Sequence, residues 1–99
     1  MVQEIRENEI DDIIRTGKVL IDCYADWCGP CKMLSPIIDE IASVNDEWKF
    51  CKLNVDDAQN IQMKYGIMSI PTLLLFENGT LKTKSIGFKT KEDIEDLLK

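Results

Sequence analysis

The sequence predicts an α/β domain, with a central mixed sheet of five strands flanked by four helices that cover both faces. Three observations point there. The apolar residues switch repeatedly between strand and helix periods, in the order βαβαβαββα. Two strand-length runs, Val19–Ile21 and Leu73–Phe76, are apolar without interruption, as strands covered on both faces are. The chain has 99 residues, 44% of them hydrophobic, enough for one core and one domain spanning residues 1–99.

Each element has a local reason. Residues 2 to 5 form a short edge strand. Asn8 caps a helix with Ile10, Ile13 and Ile14 on one face, ended by Gly17. Val19 to Ala25 is the first buried strand. A long helix starts near Cys28 and runs to about Val44, with Leu34, Ile37, Ile38 and Ile41 at helical spacing. Pro36 lies inside it and should kink it, because proline removes one ladder donor. Lys49 to Val55 is a further strand, and Ala58 to Tyr65 is a short helix stopped by Gly66. Asn78-Gly79 between Thr72–Glu77 and Thr80–Ile86 is a strong hairpin signal. Thr90 with Asp93 resembles a capping box before the last helix, whose buried face is Ile94, Leu97 and Leu98. Trp48 belongs to the core or a sheet edge.

Composition removes several classes of function. Twelve Lys and Arg against 18 Asp and Glu give a net charge of -6, with no basic cluster, which argues against nucleic acid and anionic membranes as partners. No segment has the roughly 18 apolar residues that a bilayer span needs. The charged start, Met1 to Glu7, does not read as a signal peptide, so a cytoplasmic location is expected. In a reducing compartment four cysteines are thiols by default. The absence of histidine removes Ser-His-Asp and Cys-His nucleophile systems and mixed Cys/His zinc sites.

The chemistry concentrates in Trp27-Cys28-Gly29-Pro30-Cys31-Lys32. Two thiols three positions apart at a helix start suit a disulfide that opens and closes. The thiolate is the attacking species, and the unpaired N–H groups and dipole of a helix N-terminus favour it. Cys28, where the helix begins, is therefore the nucleophile that forms a mixed disulfide. Cys31, one turn inward and less exposed, is the resolving thiol that then attacks Cys28. Pro30 fits the first turn, where its missing N–H costs nothing. This chemistry is the reduction of disulfides in other proteins, and the redox-active disulfide Cys28-Cys31 needs no cofactor and no metal. Cys23 and Cys51 read as small buried hydrophobes. A four-cysteine zinc site would need two closely spaced pairs, and the chain has one.

The Cys-Gly-Pro-Cys run resembles the active-site motif of the thioredoxin family, and the resemblance extends along nearly the whole chain. Val19-Leu20-Ile21-Asp22-Cys23-Tyr24-Ala25-Asp26 matches the family's strand leading into the motif. Lys52-Leu53-Asn54-Val55-Asp56, Gly66 to Thr72, Leu73 to Gly79 and Gly87 match its later landmarks in order. Glutaredoxin-like proteins usually carry Pro-Tyr between the cysteines. The resemblance implies the thioredoxin fold, three layers with the sheet in the middle. It also implies that Asp22 is a buried carboxylate accepting a proton from Cys31, and that Lys52 neighbours and modulates Asp22. Pro71 is implied to be a cis-proline beside the dithiol, with the backbone of Ile70 pairing with an extended substrate. Trp27, Gly29, Pro30, Ile70, Gly87 and Phe88 then form a flat apolar contact surface.

The resemblance further implies a protein-disulfide reductase that works as a monomeric redox carrier. Its partners are disulfide-containing client proteins and a thioredoxin reductase that recharges it. A shorter N-terminal segment, Cys23 at a position often aromatic and Met68-Ser69 in place of a more common Arg-Gly type of pair depart from the pattern, and bear on partner preference and redox potential. Two other readings use the same fold: a scaffold whose dithiol is incidental, and an oxidant or isomerase of the secretory pathway. The joint presence of both cysteines, Asp22 and Pro71 disfavours the first, and Gly29-Pro30 in place of a His-containing dipeptide disfavours the second.

Overall fold

The strand at the centre of the sheet is covered on both faces. β2 (Lys18–Tyr24) keeps Val19, Leu20, Ile21 and Cys23 away from solvent, which requires a layer above and a layer below. In the computed structural model, which describes residues 1–99, β3 (Trp48–Asn54) and β4 (Thr72–Glu77) flank β2. β1 (Val2–Ile5) lies outside β3, and β5 (Thr80–Ile86) outside β4. The order across the sheet is β1-β3-β2-β4-β5. β1, β3 and β2 are parallel, while β4 runs antiparallel to β2 and β5. This is the mixed five-stranded sheet that the sequence predicts.

Alternating side chains feed two cores. On one face Ile21, Cys23, Leu74 and Phe76 pack with Ile10 of α1 (Ile10–Ile13) and Ile61 of α3 (Gln59–Lys64). On the other, Leu20, Phe50, Leu73 and Leu75 pack with Leu34, Ile38 and Ile41 of α2 (Gly29–Val44) and Ile94 of α4 (Lys91–Leu97). Each fully buried aliphatic side chain stabilises the fold by roughly 1.5–3 kcal/mol relative to exposure. A helix as short as α4 is not stable alone. Ile94 and Leu98 anchor it, and Thr90 caps it by accepting a hydrogen bond from the Asp93 N–H at 3.1 Å.

The structure corrects several boundaries. Asn8 is not a helix cap. It lies inside a single 3-10 turn, Glu7–Glu9, and α1 begins at Ile10. The Glu9 carboxylate reaches back to accept from the Arg6 N–H at 2.8 Å, ahead of the 3-10 turn, and α1 itself has no side-chain cap. Ala58 precedes α3 rather than opening it, because a second 3-10 turn, Val55–Asp57, takes up the chain leaving β3. Trp48 begins an interior strand, partly buried, and its indole N–H donates to the Leu98 carbonyl at 3.1 Å.

The β4–β5 turn follows its sequence signal closely. Asn78 and Gly79 both have positive φ, 49° and 86°, as the tightest hairpin turn requires. Asn78 is also tied across the fold, since its side-chain oxygen accepts from the Gly17 N–H at 2.8 Å and its own N–H donates to the Gly17 carbonyl at 2.9 Å. A Cβ at Gly79 would meet nothing closer than the Arg15 carbonyl at 3.8 Å, so the requirement is conformational, not steric crowding. Gly79→Ala is therefore expected to destabilise the protein by roughly 1–2 kcal/mol, read as a lower denaturation midpoint at unchanged slope.

Candidate active site

The dithiol sits where a buried strand hands over to the long helix. After β2 the chain turns at Ala25 to Trp27, and Cys28 becomes the N-cap of α2 in extended conformation. Gly29 and Pro30 form its first exposed residues, and Pro30 stands where no intrahelical donor is needed. Cys28 and Cys31 are joined as a disulfide, with their Cα atoms 5.3 Å apart. The Cys31 N–H points at Cys28 Sγ, 3.2 Å away, in the place where a serine or aspartate oxygen usually caps a helix. The free N–H groups and positive dipole end of α2 thus face that sulfur. The two residues hardly differ in exposure, 4% for Cys28 and 3% for Cys31, contrary to the sequence expectation that Cys31 is the more hidden. Helix placement, not exposure, distinguishes the two sulfurs here.

The loop before β4 closes over the disulfide. Ile70-Pro71 is a cis peptide bond, and the Ile70 carbonyl oxygen lies 3.9 Å from Cys28 Sγ. The Thr72 hydroxyl donates to the Ser69 carbonyl at 2.6 Å and the Gly87 N–H donates to the Pro71 carbonyl at 2.8 Å, bracing the loop from both sides. Gly87 has φ of 90°, a conformation that glycine adopts without strain. Beside the loop, Trp27 is 71% exposed, held by its indole N–H donating to Asp56 Oδ2 at 2.9 Å. Trp27, Ile67, Met68 and Ile70 line an apolar groove next to the disulfide. Phe88 follows Gly87 and is exposed.

Behind the disulfide is a small cavity of about 140 Å³, lined by Asp22, Tyr24, Cys31, Lys32, Ser35 and Lys52 among others. Asp22 is 3% exposed and its Oδ1 has no hydrogen-bond partner. Burial pushes its carboxyl up from 3.8 to about 7, with Lys52 pulling it down and Asp39 and Glu4 adding to the rise. Lys52 is the register partner of Asp22 on β3, yet its ion pair is with Glu4 at 3.7 Å. An unpaired buried carboxyl that titrates near neutrality, open to a cavity shared with Cys31, can accept a proton there.

Cys23 and Cys51 are free and wholly buried on the opposite face of the sheet from Asp22, and burial pushes both thiols up. No group of three or more His, Cys, Asp or Glu side chains is arranged to hold a metal ion. No helix is long and apolar enough to cross a membrane.

Sequence reasoning passed over Asp56, Glu4 and Tyr24 as functional neighbours, and weighed Met68 only for its bearing on partner preference and redox potential. Asp56 could have been sought as the acceptor that an exposed indole N–H needs. Met68, 95% exposed, could have been read as part of the apolar surface. The environment of Glu4 and Tyr24 depends on strand register, which has no local signal.

The comparisons agree with this geometry. The family model described as Thioredoxin matches residues 1–99. A thioredoxin of Mycoplasmoides gallisepticum is 46% identical over 92 residues, covering 92% of each chain. A Bacillus subtilis thioredoxin is 46% identical over 83 residues, 83% of this chain and 80% of the relative. The crystal structure of Malassezia sympodialis thioredoxin superposes with a TM-score of 0.91 at 30% identity, over 98% of this chain and 89% of that one. A mutant thioredoxin from Halobacterium salinarum gives a TM-score of 0.89 at 34% identity, over 97% and 86%. With a Cys-Gly-Pro-Cys disulfide capping α2 and relatives this similar along its length, the chain belongs to the thioredoxin family and is a thiol–disulfide oxidoreductase.

Proposed function

We propose that Cys28 is the nucleophile, Cys31 the resolving thiol and Asp22 the proton acceptor in reduction of client-protein disulfides. In the reduced protein the Cys28 thiolate attacks one sulfur of a client disulfide, forming a mixed disulfide and expelling the first client thiolate. Cys31 then loses its proton to the Asp22 carboxylate, and its sulfur attacks Cys28 Sγ. The Cys28–client bond breaks, its electron pair leaves with the second client sulfur, and the Cys28–Cys31 disulfide forms. The client gains two electrons and the dithiol loses two. Each departing client thiolate takes a proton from solvent or from the site.

Lys52 modulates the charge of Asp22, and Gly29 and Pro30 keep the first turn of α2 open to the client. Trp27, Ile70, Pro71, Gly87 and Phe88 form the contact surface, with the Ile70 backbone pairing with an extended client segment. A thioredoxin reductase returns the electrons, residues 1–99 act as one unit and as a monomer, and the compartment is the reducing cytoplasm. The observation that carries the reading is the unpaired, buried Asp22 carboxyl lining the same cavity as Cys31. Rapid-mixing kinetics test it. Asp22→Asn is expected to slow release of the mixed disulfide by about tenfold or more at neutral pH, while its formation changes by less than about twofold. Equal slowing of both steps, or none, would remove Asp22 from the proton-acceptor role.

A further inference from the structure

Glu4, Lys52 and Asp22 stand abreast on three neighbouring parallel strands. Lys52 has Glu4 as its register partner on one side and Asp22 on the other. Period-two alternation puts the three on the sheet face of Val2, Phe50 and Leu20, the face that α2 covers. Lys52 therefore has a carboxyl group on each side and a single ammonium to share. It meets the outer one: Lys52 Nζ is 3.7 Å from Glu4 Oε1, whereas no ion pair joins it to Asp22. Glu4 is itself anchored, because the Tyr24 hydroxyl donates to Glu4 Oε2 at 2.7 Å. The Lys52 ammonium also lies over the Tyr24 ring, 5.6 Å from its centre. Both Glu4 oxygens are thus engaged, and Lys52 is clasped between a carboxylate and an aromatic face.

We infer that Glu4 is a positioning residue for Asp22: anchored by Tyr24, it holds the Lys52 ammonium to the outer side of the row and leaves the Asp22 carboxyl unpaired beside the cavity. The inference rests on the reading of Asp22 as the proton acceptor for Cys31. A carboxylate tightly paired with an ammonium is a poor base, since the pairing favours the charged form. A lysine beside the acceptor must therefore be near enough to let it ionise and far enough not to capture it. Glu4 meets both needs, because it competes for Lys52 and its own negative charge opposes ionisation of Asp22.

The other groups facing Asp22 do not perform this task. From α2 come Cys31, Lys32 and Asp39; from the end of its own strand and the following loop come Tyr24 and Asp26. From β4 the register partner is Leu73, which carries no charge. None of these forms an ion pair with Lys52, whereas Glu4 does.

The test reads Asp22 directly. In the oxidised protein, NMR titration of the Asp22 carboxyl carbon is compared between wild type and Glu4→Gln, which keeps the acceptor for Tyr24 and removes the charge. The expected result is a midpoint lower by roughly one pH unit in Glu4→Gln and by less than about half that in Glu4→Asp, which keeps the charge. In a Lys52→Met background the Glu4→Gln shift is expected to shrink to about a third or less. An unchanged midpoint in Glu4→Gln, even with lowered thermal stability, would overturn the inference by reducing Glu4 to a structural role. A shift undiminished in the Lys52→Met background would also overturn it, since Glu4 would then act by its field alone. None of these measurements involves Cys31. If Asp22→Asn left mixed-disulfide release unaltered, the proton-acceptor reading would fall and the titration result would still stand.

Discussion

Cys28→Ser is expected to reduce turnover in an insulin-reduction assay driven by dithiothreitol to the rate of dithiothreitol alone. The loss is roughly a thousandfold or more, or about 4 kcal/mol of barrier. A serine hydroxyl is scarcely ionised at neutral pH, and its oxygen cannot enter the thiol–disulfide exchange that links client to carrier. Cys31→Ser should behave differently. The Cys28 sulfur keeps its position at the helix cap, so the first attack proceeds and the mixed disulfide accumulates with no thiol to resolve it. Intact-mass measurement after mixing with a disulfide substrate separates the two variants, one unmodified and one carrying the substrate. Full activity in Cys28→Ser, or capture by Cys28→Ser in place of Cys31→Ser, would reverse the assignment. The assignment depends on the Cys31 N–H 3.2 Å from Cys28 Sγ, because burial does not distinguish the residues.

The second large effect is on stability and depends on pH. Asp22 moves from 3.8 to about 7 on folding because burial disfavours its charge, so the folded chain holds this proton more tightly than the unfolded chain. Below about pH 4 both states are protonated and the group contributes no penalty. As pH rises toward about 7, the unfolded chain ionises Asp22 while the folded chain does not, and stability falls. Above that the penalty is complete, about 4 kcal/mol at 1.36 kcal/mol per pH unit. Asp22→Asn is therefore expected to stabilise the oxidised protein by about 4 kcal/mol at pH 8 and by little near pH 4. Guanidinium denaturation at the two pH values measures the difference. A gain of equal size at both, or a loss at pH 8, would mean that the buried carboxylate does not carry the cost. The residue assigned to proton transfer would thus weaken the fold that holds it, a usual consequence of burying an ionisable group for chemistry.

How much of this was legible in the residues varies with the range of the interaction. The β4 and β5 limits were read to the residue, since Asn78-Gly79 specifies its own turn and strands of this length alternate around it. Thr90 announced its helix for the same reason, its hydroxyl acting on an N–H three positions away. Asn8 does not cap because the first turn begins earlier, at Glu7 with Arg6 before it, so Asn8 lies inside the turn. The cis bond at Ile70-Pro71 was implied by family likeness alone. An X–Pro bond chooses its isomer by small energy differences that the surrounding loop decides. Exposure does not separate Cys28 from Cys31, because the Ile70-Pro71 loop, from a distant part of the chain, comes up against Cys28.

The residues taken alone determined the fold class, the pairing of two thiols at a helix start and the chemistry of exchange between them. Each of these follows from neighbours within a few positions, where spacing is geometry. The strand order β1-β3-β2-β4-β5 was decided only by the folded chain. With it came the row of Glu4, Lys52 and Asp22 and the choice of Lys52 for the outer carboxylate. Parallel strands are joined by long crossovers that carry no register information, so which side chains stand level is set by packing of the two cores and not by any local pattern.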